Sequence, residues 1–378
     1  MDIVVLILVI SLTILLIGNQ KISLKDKTTL KQLYFLHLLF GVYYCFFLKG
    51  DANWYWMFPK TFDLEKTLGF FQNETGTYFV YALNFFPSKV LDLSYFTGTM
   101  IYSTIGFIGI VNFYKIAIEY VPYNSKVFKI KLFPLLFFFP SLHIWSCAVG
   151  KDTLLFASIG VYFYGICNFK KRMPAIIIAL LIAYLVRPHM ALFMAISLGI
   201  TYFSGRRVPF YQKIILSGVG VLLIILILPK VLESSKIEEL NADNLEKFSD
   251  TRVHLLSRSA GSAVDISSYP FPLKVFTFLY RPLFFDINGI PALLASFENI
   301  FFLLLSFLVI KNKFKKTYQE APTIIKSLFI FLCIGATAFS QVLGNLGIMI
   351  RMRNMFLPGM MIYILWALSY QQQLKYKK

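Results

Sequence analysis

The run ALLASFENIFFLLLSFLVI at residues 292–310, followed at once by KNKFKK at 311–316, decides the class of fold. Nineteen residues carry a single charge, Glu298. As a helix they extend about 28 Å, close to the roughly 30 Å of hydrocarbon in a bilayer. Four lysines then crowd into six residues, the flank expected on the cytoplasmic side of a span. The same ruler, moved outward along the chain, finds eleven candidate spans, within a range of nine to thirteen. They are Ile3–Gly18, Gln32–Leu48, Tyr95–Ala117, Leu132–Val149, Thr153–Phe169, Met173–Val186, Met190–Ser204, Ile214–Pro229, Ala292–Ile310, Ile325–Asn345 and Met355–Ser369. The expected fold is an all-α integral membrane protein, a single polytopic domain over residues 1–378.

Composition excludes the alternatives. Hydrophobic residues make up 57% of the 378 and charged residues 15%, against about 45–50% and about 25% in soluble domains. Too few polar side chains exist to cover a water-soluble globule or to keep a chain disordered. Cys45, Cys147, Cys167 and Cys333 lie in apolar segments without paired spacing, so neither a disulfide framework nor a zinc signature is present. Met1-Asp2 runs straight into an apolar stretch without a basic region or cleavage site, which reads as an anchor rather than a cleaved signal.

The net charge of +18 sorts by side. Segments 19–31, 118–131, 170–172, 205–213, 311–326 and the C-terminal tail hold 21 Lys and Arg against Asp26, Glu119 and Glu320. The positive-inside rule makes that side cytoplasmic, with the N-terminus external and the C-terminus inside. The other side is balanced, with 15 cations and 15 carboxylates. It carries two large external loops, 49–94 and 230–291. Within the second, Ser234–Ser249 reads as a polar amphipathic helix and Pro270–Pro291 as an interfacial or re-entrant segment. The excess charge is thus a topology signal. Basic residues sit in short juxtamembrane loops rather than on one folded face, so nucleic acid is excluded as a partner.

No phosphate loop, zinc-protease motif or nucleophile elbow is present. The chemistry-bearing residues cluster instead at external span ends. In Gly50-Asp51-Ala52-Asn53-Trp54-Tyr55-Trp56 a carboxylate stands beside three aromatics. This suits a sugar, whose ring stacks on Trp54 while Asp51 accepts a hydroxyl proton, or else an ordinary aromatic belt. Pro140-Ser141-Leu142-His143-Ile144-Trp145-Ser146 leads to Gly150-Lys151-Asp152 at a tight turn. There His143 is either functional or a satisfied structural histidine. Arg187-Pro188-His189 closes another external turn, where Arg187 grips phosphate oxygens or snorkels to the headgroups. Tyr280-Arg281-Pro282, with Asp286, precedes Glu298-Asn299; Glu298 needs a cationic partner within its span. Arg351 and Arg353 diverge by about 200° along a helix, so one of the two faces inward. Lys115 and Glu119 read as a helix-surface ion pair. The external cations Lys151, Arg187, Arg281, Arg351 and Arg353 suit a lipid-borne phosphate or pyrophosphate.

These motifs resemble those of bacterial polytopic polysaccharide polymerases of the O-antigen or capsule type, and of GT-C-like membrane glycosyltransferases. The residues that carry the resemblance are Gly50-Asp51, Pro140 to Trp145 leading to Gly150-Lys151-Asp152, Tyr280-Arg281-Pro282 leading to Glu298-Asn299, and Arg351-Met352-Arg353. The resemblance implies an enzyme of the bacterial inner (cytoplasmic) membrane that joins undecaprenyl-pyrophosphate-linked sugars in surface polysaccharide synthesis. Its partners would be the lipid-linked glycan, the bilayer, and polysaccharide-export or chain-length proteins. It matches Asp51 to the family's base in position; taken with the residue readings, the catalytic candidates are Asp51, His189 and Asp152, the phosphate ligands Arg187, Arg281, Arg351, Arg353 and Lys151, with His143, Glu298 and Trp54 in support. A polymerase needs no metal. A GT-C-like enzyme adds a divalent one, although no Asp-x-Asp pair occurs here. Two other classes remain open: a transporter or flippase of lipid-linked oligosaccharide, and a non-catalytic membrane scaffold.

Overall fold

A computed structural model describes residues 1–48, 50–203, 225, 227–229, 232, 251–253 and 261–376. The basic segment 205–213, the candidate span 214–229 in nearly all its length, and the amphipathic helix 234–249 lie outside the described residues. Elsewhere the chain is all-α. Among the described residues, strands occur only as a hairpin of Lys126–Val127 with Ile130–Lys131, besides one isolated bridge between Ala263 and Asn345.

Four described helices are long and apolar enough to cross a membrane: Leu24–Phe47, Tyr95–Tyr120, Ile290–Lys311 and Thr323–Val342. A fifth span results if Leu346–Arg353 and Leu357–Leu374, bent by 60°, count as one. Further apolar helices are shorter. Asp2–Gly18 has 17 residues, and Lys151–Ile166 and Pro188–Phe203 have 16 each. Sixteen residues rise only about 24 Å. The expected span over residues 132–149 is a correction. Phe133 takes extended dihedrals before Pro134, a 3-10 turn covers Leu136–Phe138, and a five-residue helix starts at Pro140. Each proline lacks the N–H that would bond the preceding turn, so a composition-based ruler finds a helix where the backbone cannot continue one.

The described chain forms two compact units. The first comprises Met1–Ile116 and Phe133–Met190. Its helices approach closely where side chains vanish. Gly109 of Tyr95–Tyr120 meets Gly160 of Lys151–Ile166, so a Cβ on Gly160 would lie 2.7 Å from the Gly109 Cα. Small residues let membrane helices touch backbone to backbone. At one end, the Asp2 carboxylate accepts hydrogen bonds from the Ser94 amide at 2.9 Å, the Ser94 hydroxyl at 2.8 Å and the Thr97 hydroxyl. At the other end, Asp26 accepts from Tyr114 at 2.9 Å, and Lys115 donates to Gln20 at 2.8 Å and lies over Tyr164. The segment 49–94, expected as a loop, is folded into helices Ala52–Met57, Leu64–Asn73 and Thr77–Phe85 with 3-10 and π turns.

The second unit comprises Ala117–Leu132 and Ala191–Lys378. Its core gathers Phe278, Phe331, Phe339 and Phe356, with ring centroids 4.7 Å apart for Phe331–Phe356 and 5.8 Å for Phe339–Phe356. Residues 270–291 form a ten-residue helix, Phe271–Tyr280, that enters at Pro270 and Pro272 and stops before Pro282. At one end Ser262 bonds Asn345 at 2.9 Å, and the Leu346 amide donates to the Ser262 carbonyl. At the other end Gln371 donates to the carbonyls of Val309 and Asn312, and the Tyr123 amide to Ser369.

Candidate functional site

Three motifs far apart in sequence meet in the first unit. Gly150 caps the Lys151–Ile166 helix with φ 140°, a conformation suited to glycine, and packs against the Tyr55 ring. Lys151 follows it: its Nζ donates to Thr77 Oγ1 at 3.0 Å and stands 5.8 Å from the Tyr55 ring centroid. Asp152 is 7% exposed and sits in the first helical turn, where backbone N–H groups favour a carboxylate. Its Oδ1 lies 2.9 Å from Arg187 Nη2. Arg187 ends the Phe169–Val186 helix, and its backbone turns into Pro188–Phe203 through a hydrogen bond from the Met190 amide to the Arg187 carbonyl. Nearby, the Gly76 amide donates to the Leu185 carbonyl at 2.8 Å, which fastens the Thr77–Phe85 helix beside this turn.

His189, partly buried in the turn, feels the charges of both Arg187 and Lys151. Loss of water first, and those two cations second, disfavour a third positive charge there. The two cations are placed to hold an anion, and an anion there would offset the penalty on protonating the imidazole beside them. Asp51 is exposed, and its charge acts on Tyr81. Burial first, and Asp51 second, raise the Tyr81 hydroxyl above its usual range. Tyr81 stands 5.7 Å from Tyr55 and 5.3 Å from Phe58, centroid to centroid. Aromatic rings therefore run from Tyr81, on which the Asp51 charge acts, through Tyr55 to Lys151. Trp54 is exposed and contacts Phe58 at 6.4 Å.

His143 is fully buried, and its place is a structural pair. Its Nδ1 lies 3.0 Å from Nδ1 of His37 and its Nε2 lies 2.9 Å from the Phe137 carbonyl. It also stacks on Phe40. The carbonyl accepts, so Nε2 of His143 carries a proton, and its Nδ1 faces Nδ1 of His37. His37 was not among the sequence candidates, although a lone ionisable residue in an apolar span is a findable signal.

The second unit holds the other candidates. Arg281 is gripped by Asp286 through two bonds, Nε to Oδ2 at 3.0 Å and Nη2 to Oδ1 at 2.5 Å. Burial alone would raise the Asp286 carboxyl. The Arg281 bonds, the Leu283 amide and the Arg281 charge together hold it below the usual carboxylate range. The Asp286 hydrogen bond, in return, raises Arg281 further. Arg353 is buried, and its Nη1 donates to the carbonyls of Phe278, Leu279 and Arg281 at 3.2, 2.7 and 3.1 Å. It closes the C-terminus of the Phe271–Tyr280 helix, whose last carbonyls lack partners within the helix. Arg351 is partly exposed, as the 200° divergence requires. Glu298 is buried, and the arginine on which its charge acts is Arg353. Asn299 donates to the Pro282 carbonyl at 2.8 Å. Tyr280, Arg281 and Glu298-Asn299, apart in sequence, are thus held together around Arg353.

Among the described residues no group of three or more His, Cys, Asp or Glu side chains is placed to hold a metal ion. Around Asp51 the described residues offer no such group for the divalent metal of a GT-C-like enzyme. No protein-family model matches the chain, nor does any curated protein or solved structure.

Proposed function

We propose that the protein is a multi-pass membrane glycosyltransferase or polymerase that joins polyprenyl-phosphate- or pyrophosphate-linked sugars on the external face of the bacterial inner membrane. The observation that carries this reading is the meeting of Gly50–Trp56, Gly150–Asp152 and Arg187–His189 in one unit, with two cations, an imidazole, a carboxylate and aromatic rings together. In this reading Lys151 and Arg187 hold the donor pyrophosphate, and Asp152 fixes the Arg187 fork. His189 or Asp51 takes the acceptor proton. The acceptor oxygen forms a bond to the anomeric carbon, the bond from that carbon to the pyrophosphate oxygen breaks, and the lipid pyrophosphate leaves with the electron pair. Tyr81 presents a face to a sugar ring. Arg281 and Arg353, already engaged by Asp286 and by helix carbonyls, shape the external end of the second unit.

The topology belongs to the same reading: eleven crossings, with the short helices and the broken stretch 132–149 counted among them, the N-terminus external and the C-terminus cytoplasmic. In its support, Asp2 accepts from Ser94, and both lie in segments assigned to the external side.

The test replaces charge without leaving a buried ion unpaired. Lys151→Gln, and Arg187→Gln combined with Asp152→Asn, are expressed at wild-type level in cells that depend on the gene for surface polymer. The expected result is loss of polymer beyond a single repeat unit. Full-length polymer from both variants would overturn the assignment.

A further inference from the structure

Helix Leu64–Asn73 has three faces rather than two. Thr67 and the half-buried Phe70 point to the body of the first unit. Glu65, Gln72 and Asn73, exposed and polar, lie between about 80° and 180° from Leu64 at 100° per residue. Leu64, Leu68 and Phe71, 62%, 49% and 40% exposed, stand within about 40° of one line. The apolar stripe is thus turned about 90° away from the side that packs on the protein. A second short helix repeats the pattern: Ala52, Tyr55 and Trp56 are buried, while Trp54, Met57 and Phe58, at i, i+3 and i+4, are exposed on another side.

The connections of the segment indicate what covers these stripes. It leaves the Leu24–Phe47 helix and enters the Tyr95–Tyr120 helix, both long and apolar enough to cross a bilayer. The exposed Phe46 and Phe47 at the end of the first lead directly toward Trp54. The segment is therefore held at one membrane surface. A short helix with one apolar and one polar stripe lies in the plane of such a surface. Lys66 rests over Phe62 at 4.7 Å, so the cation stays on the protein and polar side rather than among the apolar stripe.

We propose that residues 52–73 form a platform seated in the headgroup–acyl boundary of the membrane the chain spans, with Leu64, Leu68, Phe71, Trp54 and Phe58 immersed in lipid. This rests on the reading that the adjoining helices cross the bilayer. It sets Asp51 and Tyr55 at headgroup depth, the depth of a lipid-linked phosphate.

The test incorporates photoreactive p-benzoyl-phenylalanine singly at Leu68, Trp54, Glu65 and Leu39 of the full chain. The protein is reconstituted in phosphatidylcholine vesicles, irradiated, and read by mass spectrometry. Lipid adducts at Leu39, Leu68 and Trp54, with background at Glu65, are expected. Adducts at Leu39 but only background at Leu68 and Trp54 would overturn the platform alone. Crosslinks from Leu68 to a second copy of the chain in place of lipid would do the same. Background at Leu39 as well would overturn the spanning premise, and the platform with it.

Discussion

At Asp152 a carboxylate almost without solvent contact stands 2.9 Å from the guanidinium of Arg187, 35 positions away in sequence. Taking away Arg187 alone leaves that charge buried. Arg187→Ala is therefore expected to destabilise the folded protein by about 3 kcal/mol, and Asp152→Asn in the same chain to restore much of the loss. Thermal unfolding of the detergent-solubilised variants checks both. Gly150→Ala places a Cβ 3.0 Å from the Tyr55 ring at a φ of 140°, which costs about 2 kcal/mol and lowers the same unfolding temperature. The Arg281–Asp286 pair has a pH signature. The Asp286 carboxyl titrates lower in the folded protein than in the unfolded chain. Its contribution is complete above the ordinary carboxylate value of about 4 and is lost as pH falls through the folded value. The Asp286→Asn variant should lose that part of the acid sensitivity, as read by unfolding at pH 6 against about pH 3. Few of these partners were legible in the sequence. Arg187 and Arg281 stood out because arginines are rare at external span ends. Asp286 stood beside Arg281 in the sequence, whereas the pairing of Arg187 with Asp152 and the use of Arg353 on three carbonyls depend on tertiary geometry.

Among the elements, helices were legible where a run was long and unbroken. Ile290–Lys311 and Thr323–Val342 follow the apolar runs at 292–310 and 325–345 closely. The run at 132–149 misleads because hydropathy counts apolar side chains and takes no account of the hydrogen bonds lost at Pro134 and Pro140. Segment 49–94 connects two long helices through helices of six to ten residues, too short for hydrophobic periodicity to mark them out. Contacts between helices carry their own prediction. Gly160 lies against Gly109 with no room for a methyl group. Gly160→Ala should therefore push Tyr95–Tyr120 and Lys151–Ile166 apart, at a cost of about 2 kcal/mol. Gly199, with nothing near its Cβ position, is the matched control: Gly199→Ala should leave the unfolding temperature unchanged or raised.

For the molecule as a whole, the excess charge and the external arginines carry separate messages. The lysine-rich segments mark one side, and the motifs that meet around Lys151 lie in segments assigned to the other. Single cysteines at Asn288 and Lys313, in a chain freed of its four native cysteines, check the sidedness. A membrane-impermeant maleimide added to intact cells stripped of any outer barrier should label position 288 and spare 313. Equal labelling would contradict the topology. The central claim concerns chemistry, and it is tested most directly by incubating the purified protein with lipid-pyrophosphate-linked repeat units and resolving the products by length on a gel. The expected result is a ladder of chains from the wild type, with release of lipid pyrophosphate, and single units only from Lys151→Gln at an unchanged unfolding temperature. Single units from the wild type, or an unaltered ladder from Lys151→Gln, would contradict it.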